Sequence, residues 1–169
     1  RIRDGDGKAF EQLFRSYCQP LVNFALRYVR DAAAAENLVQ DLFLAVWANR
    51  TQLDPALKTR SYLYTAAKNR ALKHLRHNEV ERRSAEEVAS TLAYPKTPED
   101  ERQKREVSAA IYQAIETLPE KTRILFSMNR FDRLTYAEIA EIQGISIKTV
   151  ETQMGRALRS LRNQLTHLL

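Results

Sequence analysis

The densest run of side chains able to do chemistry lies between Ile147 and Arg162, IKTVETQMGRALRSLR. At 100° per residue on a helix, Lys148, Thr152, Gly155, Arg156 and Arg159 fall opposite Val150 and Leu161. Thr149, Glu151 and Gln153 lie on the shoulders of that face. These residue types bind rather than react. Arginine donates to guanine edges and phosphates, and threonine and glutamine read base edges, so the face suits a DNA major groove. An ordinary solvated face on a C-terminal helix is the bland alternative. On the inner side, Ile147, Val150, Met154, Leu158 and Leu161 recur at steps of three and four, which predicts one buried stripe.

The residues just upstream favour the groove. Thr135 and Glu138 have the T-x-x-E spacing of a capping box, which starts a helix. Ile139, Ala140 and Ile142 give it an apolar stripe. Gly144 can take the positive φ that ends it, and Ser146 can cap the next helix. Small Ala140, turn Gly144 and core Val150 then stand at the spacing that sets one helix across another in a helix-turn-helix.

The N-terminal half predicts three more helices. Asp4-Gly5-Asp6-Gly7 is a turn-like lead-in, with too few carboxylates for a calcium loop. A first helix spans Lys8 to Val29, with Pro20 expected to kink or break it. Asp31 can cap a second, Ala32 to Ala48, apolar almost all round and therefore mostly buried. Its polar residues Glu36, Asn37, Gln40 and Asp41 fall on one side, as a protein-docking strip or as the solvated edge of a core helix. After a loop from Asn49 to Pro55, a third helix runs from Lys58 or Thr59 to about His77. Between Asp54 and Glu79 there are six Lys and Arg residues and no acidic one. Leu63, Ala67, Ala71 and Leu75 are its expected buried stripe. Arg60, Tyr62, Thr65, Asn69, Lys73 and Arg76 supply an aromatic, hydroxyl, amide and basic surface suited to unpaired bases and their phosphates. A membrane-surface helix competes poorly, since the apolar stripe is half alanine rather than Trp or Phe. A plain solvated basic face is the other alternative.

Residues 79–102, charged and holding Pro95 and Pro98, predict a mobile linker, helical at first as far as Glu87. Thr97 and Pro98 can open a helix to about Thr117 with Val107, Ile111, Ala114, Ile115 and Leu118 inward. Pro119 opens another to about Asn129, with Leu125, Phe126 and Met128 inward.

The 169-residue chain has net charge +6 and a pI near 9.6, which favours a polyanionic partner. Four glycines and few β-branched runs argue against a sheet. The expectation is an all-α chain of two small helical domains, residues 1–78 and 103–169, joined by the linker. Catalysis finds no support: there is no glycine-rich phosphate loop and no HExxH, and His74, His77 and His167 lack ligand-spaced carboxylates. Cys18 is the single cysteine, predicted to pack among Phe14 and Leu21, so neither an internal disulfide nor a cysteine metal cluster can form. No metal, cofactor or small-molecule substrate is expected. A reducing cytoplasm is the expected compartment, since no signal peptide or membrane-length apolar run is visible. The start at Arg1 without a methionine suggests a piece of a longer protein.

With these residues in place, the chain resembles bacterial RNA polymerase sigma factors of the extracytoplasmic-function (ECF) subgroup. The resemblance rests on GDGKAFEQLFRSY, AENLVQDLFLAVW, SYLYTAAKNRALKHLR, AIETLPEKTRILF and LTYAEIAEIQGISIKTVETQMGRALRSLR, in that order and covering nearly the whole chain. It implies a sigma-2 helical bundle over 1–78 and a sigma-4 helix-turn-helix over 103–169. It implies that Glu36, Asn37, Gln40 and Asp41 dock on the clamp helices of core RNA polymerase. Arg60, Tyr62, Thr65, Asn69, Lys73 and Arg76 would then meet the minus-ten promoter element, and the Asn49 to Pro55 loop would border a pocket for a flipped base. Lys148, Thr149, Glu151, Thr152, Gln153, Arg156 and Arg159 would read the minus-thirty-five element. The family is usually held inactive by an anti-sigma factor, often membrane-bound. Three departures stand out: Asn37 where an aspartate is frequent, Tyr62 where a tryptophan is, and Glu151 where many members carry Arg or Lys. The rival reading is a two-domain helix-turn-helix regulator that never engages polymerase; an RNA-binding helical protein is a more distant one.

Overall fold

The computed structural model describes the backbone of residues 1–56, 58–82 and 102–166, with side chains for all of these except residues 80–82 and 102–108. Every regular element among the described residues is helical. The chain divides into two compact units, Arg1–Leu92 and Ala93–Leu169.

The first unit is a bundle of three mutually packed helices, α1 (Gly7–Val29), α2 (Ala32–Ala48) and α3 (Thr59–Arg82). Asp6 starts α1 by accepting the Ala9 amide at 3.0 Å, and Asp31 starts α2 by accepting the Ala34 amide at 2.7 Å. The Ala9 amide, and then the Arg1 guanidinium, hold the Asp6 carboxyl below its ordinary pKa. Pro20 neither kinks α1 enough to interrupt it nor ends it: the helix is continuous from Gly7 to Val29. The cost of the missing amide is borne within a helix that both neighbours clamp. Phe24 packs edge-on against Tyr64 of α3 at 5.0 Å. At the other end, Phe10 and Phe14 of α1 meet Phe43 at 6.1 and 4.9 Å, and Phe10 meets Trp47 at 4.9 Å. The 49–55 loop contains a short 3-10 turn, Arg50–Gln52. Arg50 anchors it by stacking over Trp47 at 4.5 Å and donating to the Trp47 carbonyl at 2.9 Å.

The second unit comprises α4 (Arg102–Glu116), α5 (Glu120–Arg130), α6 (Tyr136–Gln143) and α7 (Ile147–Leu165), with α4, α5 and α6 all packed on α7. Its core holds Ala114, Ile115, Leu118, Leu125, Met128, Ile139, Val150 and Ala157. Arg123 ties α5 to the end of α4, its Nη1 donating to both the carbonyl and the carboxylate of Glu116 at 3.1 and 3.0 Å.

Several expectations need correction. The third helix continues past His77 to Arg82. Leu75 is 37% exposed and Ile111 40%, so both lie on the rims of their stripes. On α7, Ile147 and Leu158 are about half exposed, and the buried line is Val150, Met154, Ala157 and Leu161. Ile147 and Leu158 stand eleven residues apart, about three turns, so they share one edge of α7 that no other described helix of this unit covers. Thr97, Pro98, the Val107 side chain, His167 and residues 83–101 of the expected linker lie outside the described residues.

Candidate functional site

The helix-turn-helix is built by local chemistry. The Thr135 hydroxyl accepts the Glu138 amide at 3.2 Å, and the Glu138 carboxylate accepts the Thr135 amide at 2.8 Å. Both halves of the capping box are therefore made. Gly144 ends α6 at φ 69°, and the Ile145 amide reaches back to the Ala140 carbonyl at 3.0 Å. This six-to-one bond of a Schellman turn is followed by the Ser146 cap, which accepts the Thr149 amide at 3.0 Å. Asn129 fastens the preceding turn, donating through Nδ2 to the Leu134 carbonyl at 2.8 Å.

These caps set the outer face of α7. Lys148, Thr149, Glu151, Thr152, Arg156 and Arg159 are exposed. They differ in what they have left to offer. Arg156 and Arg159 make no bond to other residues among the described ones, so their guanidinium donors are available. Lys148 forms an ion pair with Glu151 at 3.6 Å. The Thr149 hydroxyl lies 2.9 Å from the Ser146 hydroxyl, and the Thr152 hydroxyl donates back to the Lys148 carbonyl at 2.9 Å. Gln153 is half-buried; its Oε1 accepts from the buried Thr122 hydroxyl of α5 at 2.7 Å.

In the first unit, Asn69, Lys73 and Arg76 are exposed along α3, and Arg60, Tyr62 and Thr65 are half-exposed. Arg76 folds back to its own helix, Nε donating to the Leu72 carbonyl at 3.3 Å. Tyr62 and Thr59 join Leu53, Asp54 and Pro55 in lining a cavity of about 720 Å³. The N-terminal residues Arg1 to Asp4 close its other side, a contribution with no signal in the pattern of the helices. Lys68, also on α3, has its pKa pushed down by burial.

On α2, Glu36, Asn37, Gln40 and Asp41 are all exposed. Sequence reasoning missed the next member of this strip. Leu44, one turn beyond Gln40 and Asp41, is 68% exposed on a helix read as mostly buried. It borders a shallow apolar groove of about 340 Å³ with Gly7, Phe10, Gln40, Phe43 and Trp47. Its spacing of three and four from Asp41 and Gln40 was the available signal. Cys18 lies on the neighbouring stretch of α1, where burial and then the Glu36 carboxylate raise its thiol pKa.

The Sigma-70 region 2 family matches residues 13–80, and the Sigma-70, region 4 family matches residues 108–161. The chain is 29% identical to the ECF RNA polymerase sigma factor SigW of Bacillus subtilis, over 99% of this chain and 95% of the relative. It is 30% identical to the RNA polymerase sigma factor CarQ of Myxococcus xanthus, again over 99% of this chain and 95% of the relative. Among solved structures, the sigma factor RpoE from Bartonella quintana, determined in complex with the anti-sigma factor NepR, matches with a TM-score of 0.74. That likeness is one of fold, at 21% identity over 94% of this chain and 98% of the other.

Proposed function

The chain belongs to the sigma-70 family, as an ECF sigma factor, and we propose that it makes core RNA polymerase find, hold and open a two-part promoter. In this reading residues 1–78 are the sigma-2 domain, 79–102 the linker and 103–169 the sigma-4 domain. The α2 strip of Glu36, Asn37, Gln40 and Asp41 docks on core polymerase. The α3 surface of Arg60, Tyr62, Thr65, Asn69, Lys73 and Arg76 meets the minus-ten element. The cavity beside Tyr62 and Leu53 to Pro55 takes an unstacked base, whose face an aromatic ring can hold. On α7, Lys148, Thr149, Glu151, Thr152, Gln153, Arg156 and Arg159 read the minus-thirty-five element.

One observation carries the reading: a helix-turn-helix with a basic outer face shares its chain with a bundle whose apolar helix exposes a polar strip. A free-standing regulator needs the first feature and has no use for the second. The regulator reading is not favoured for a further reason, since the relatives that match across both halves are sigma factors. The protein works by binding rather than by turnover, in the cytoplasm with the polymerase. No helix among the described residues is long and apolar enough to cross a membrane. An anti-sigma factor is its proposed inhibitor, as the fold matches a sigma factor solved with one.

The docking role is tested by reversing charge at Asp41. Asp41→Lys should weaken capture of core polymerase by about tenfold, at an unchanged melting temperature, because the side chain is exposed. Equal capture by both proteins would remove the docking assignment.

A further inference from the structure

The contact between Thr122 and Gln153 has a consequence for which base the helix selects. Thr122 is 5% exposed in the first turn of α5, and its hydroxyl donates to Gln153 Oε1 at 2.7 Å. Gln153 Nε2 has no hydrogen-bond partner among the described residues. Every buried polar side-chain atom among those residues does have a partner, so this nitrogen reaches solvent. A second glutamine, eleven residues along the same edge of α7, shows what a purely structural role looks like. Gln164 Oε1 lies 3.0 Å from the Thr117 hydroxyl, whose one proton is shared with the Ala114 carbonyl at 2.7 Å, while its Nε2 donates to the Ser160 hydroxyl at 3.1 Å. Gln164 is tied at both ends, and Gln153 at one.

A free glutamine amide pairs with adenine by using both ends, accepting from N6 and donating to N7. Gln153 has its acceptor turned inward to a buried hydroxyl, so it can present only N–H donors. Guanine offers two acceptors, N7 and O6, at the major-groove edge. We propose that Thr122 is a positioning residue that holds Gln153 as a donor-only reader, making it prefer guanine, with two acceptors, to adenine, with one, at one position of the minus-thirty-five element. The inference rests on the reading of α7 as the minus-thirty-five helix.

The test is selection from promoter DNA randomised across the minus-thirty-five element, using core polymerase reconstituted with the full chain. Gln153→Ala identifies the position by flattening its preference. There the unaltered chain should favour guanine over adenine by about fivefold or more. Thr122→Val should erase that ratio, because the freed amide can turn and pair with adenine, whereas Thr122→Ser should keep it. Adenine preferred by the unaltered chain, or an unchanged ratio in folded Thr122→Val, would overturn the proposal. So would a Gln153→Ala loss that is uniform across all sequences, which marks a phosphate contact. Should Thr122→Val fail to fold, the unaltered chain's base preference and the Thr122→Ser profile decide. A library with no preference anywhere in the element overturns the parent reading and this inference with it.

Discussion

Glu151 sits among basic residues on the outer face of α7, and its nearest charge is Lys148 at 3.6 Å. Both side chains are well exposed, so the pair adds little to stability, of the order of 0–1 kcal/mol. Its proposed effect is on DNA binding. The carboxylate repels phosphate and occupies one of the lysines that could neutralise it, yet it can accept a hydrogen bond from cytosine N4. Arg156 is the converse, a cation with its donors available. Glu151→Arg is therefore predicted to raise affinity for random duplex DNA and to steepen its salt dependence by up to about two counterions. Arg156→Ala should lower affinity for the cognate promoter by about 1–3 kcal/mol. Fluorescence anisotropy over a salt series checks both, and an unchanged slope for Glu151→Arg would show that this face does not approach phosphate.

At the scale of elements, α6 shows how a short helix is held. Only 8 residues long, it is far below the length that is stable alone, and both its ends are pinned. Thr135→Ala removes one arm of the capping box and should cost about 1 kcal/mol. Gly144→Val should cost about 1–2 kcal/mol. No atom would meet the new Cβ, so the cost of that change comes from the backbone at φ 69°. Thermal unfolding measures the two losses, and a Gly144→Val protein as stable as the parent would contradict the left-handed cap.

Much of this was legible in the sequence because caps are local. Asp31, Thr135, Glu138 and Ser146 accept amides three residues away, Gly144 donates its own amide to carbonyls three and four residues back, and each does what its type and spacing indicated. Side-chain placement on the helix rims was less legible. Periodicity finds the middle of a buried stripe, but how wide it is depends on which neighbours exist. Leu44 on an almost wholly apolar helix, and Leu75, Ile111, Ile147 and Leu158 on apolar periods, are all exposed, with no described helix of their own unit covering them. The cavity beside Tyr62 and the Thr122–Gln153 contact join residues distant in sequence, which no period reveals. Leu44 turns this lesson into a test. Leu44→Ser should change stability by less than about 0.5 kcal/mol and still weaken core-polymerase capture. Phe43→Ala next to it, buried against Phe10 and Phe14, should cost about 3–5 kcal/mol. A Leu44→Ser protein that loses stability as Phe43→Ala does would place Leu44 in the core.

At the scale of the whole molecule, the two units carry different contacts on one basic chain of net charge +6. In the proposed reading neither unit alone accounts for promoter-directed initiation: the helix-turn-helix would bind the minus-thirty-five element without holding a polymerase, and the bundle would hold a polymerase with only the minus-ten element to read. The central claim is that one chain joins these tasks. It is tested most directly by transcription from a promoter with both elements, selected as above, using core polymerase with and without the protein. A single defined start is expected only when the protein is present, with thymines around the minus-ten element becoming reactive to permanganate as the duplex opens. A protein that binds the same promoter DNA but leaves core polymerase without a defined start would contradict it.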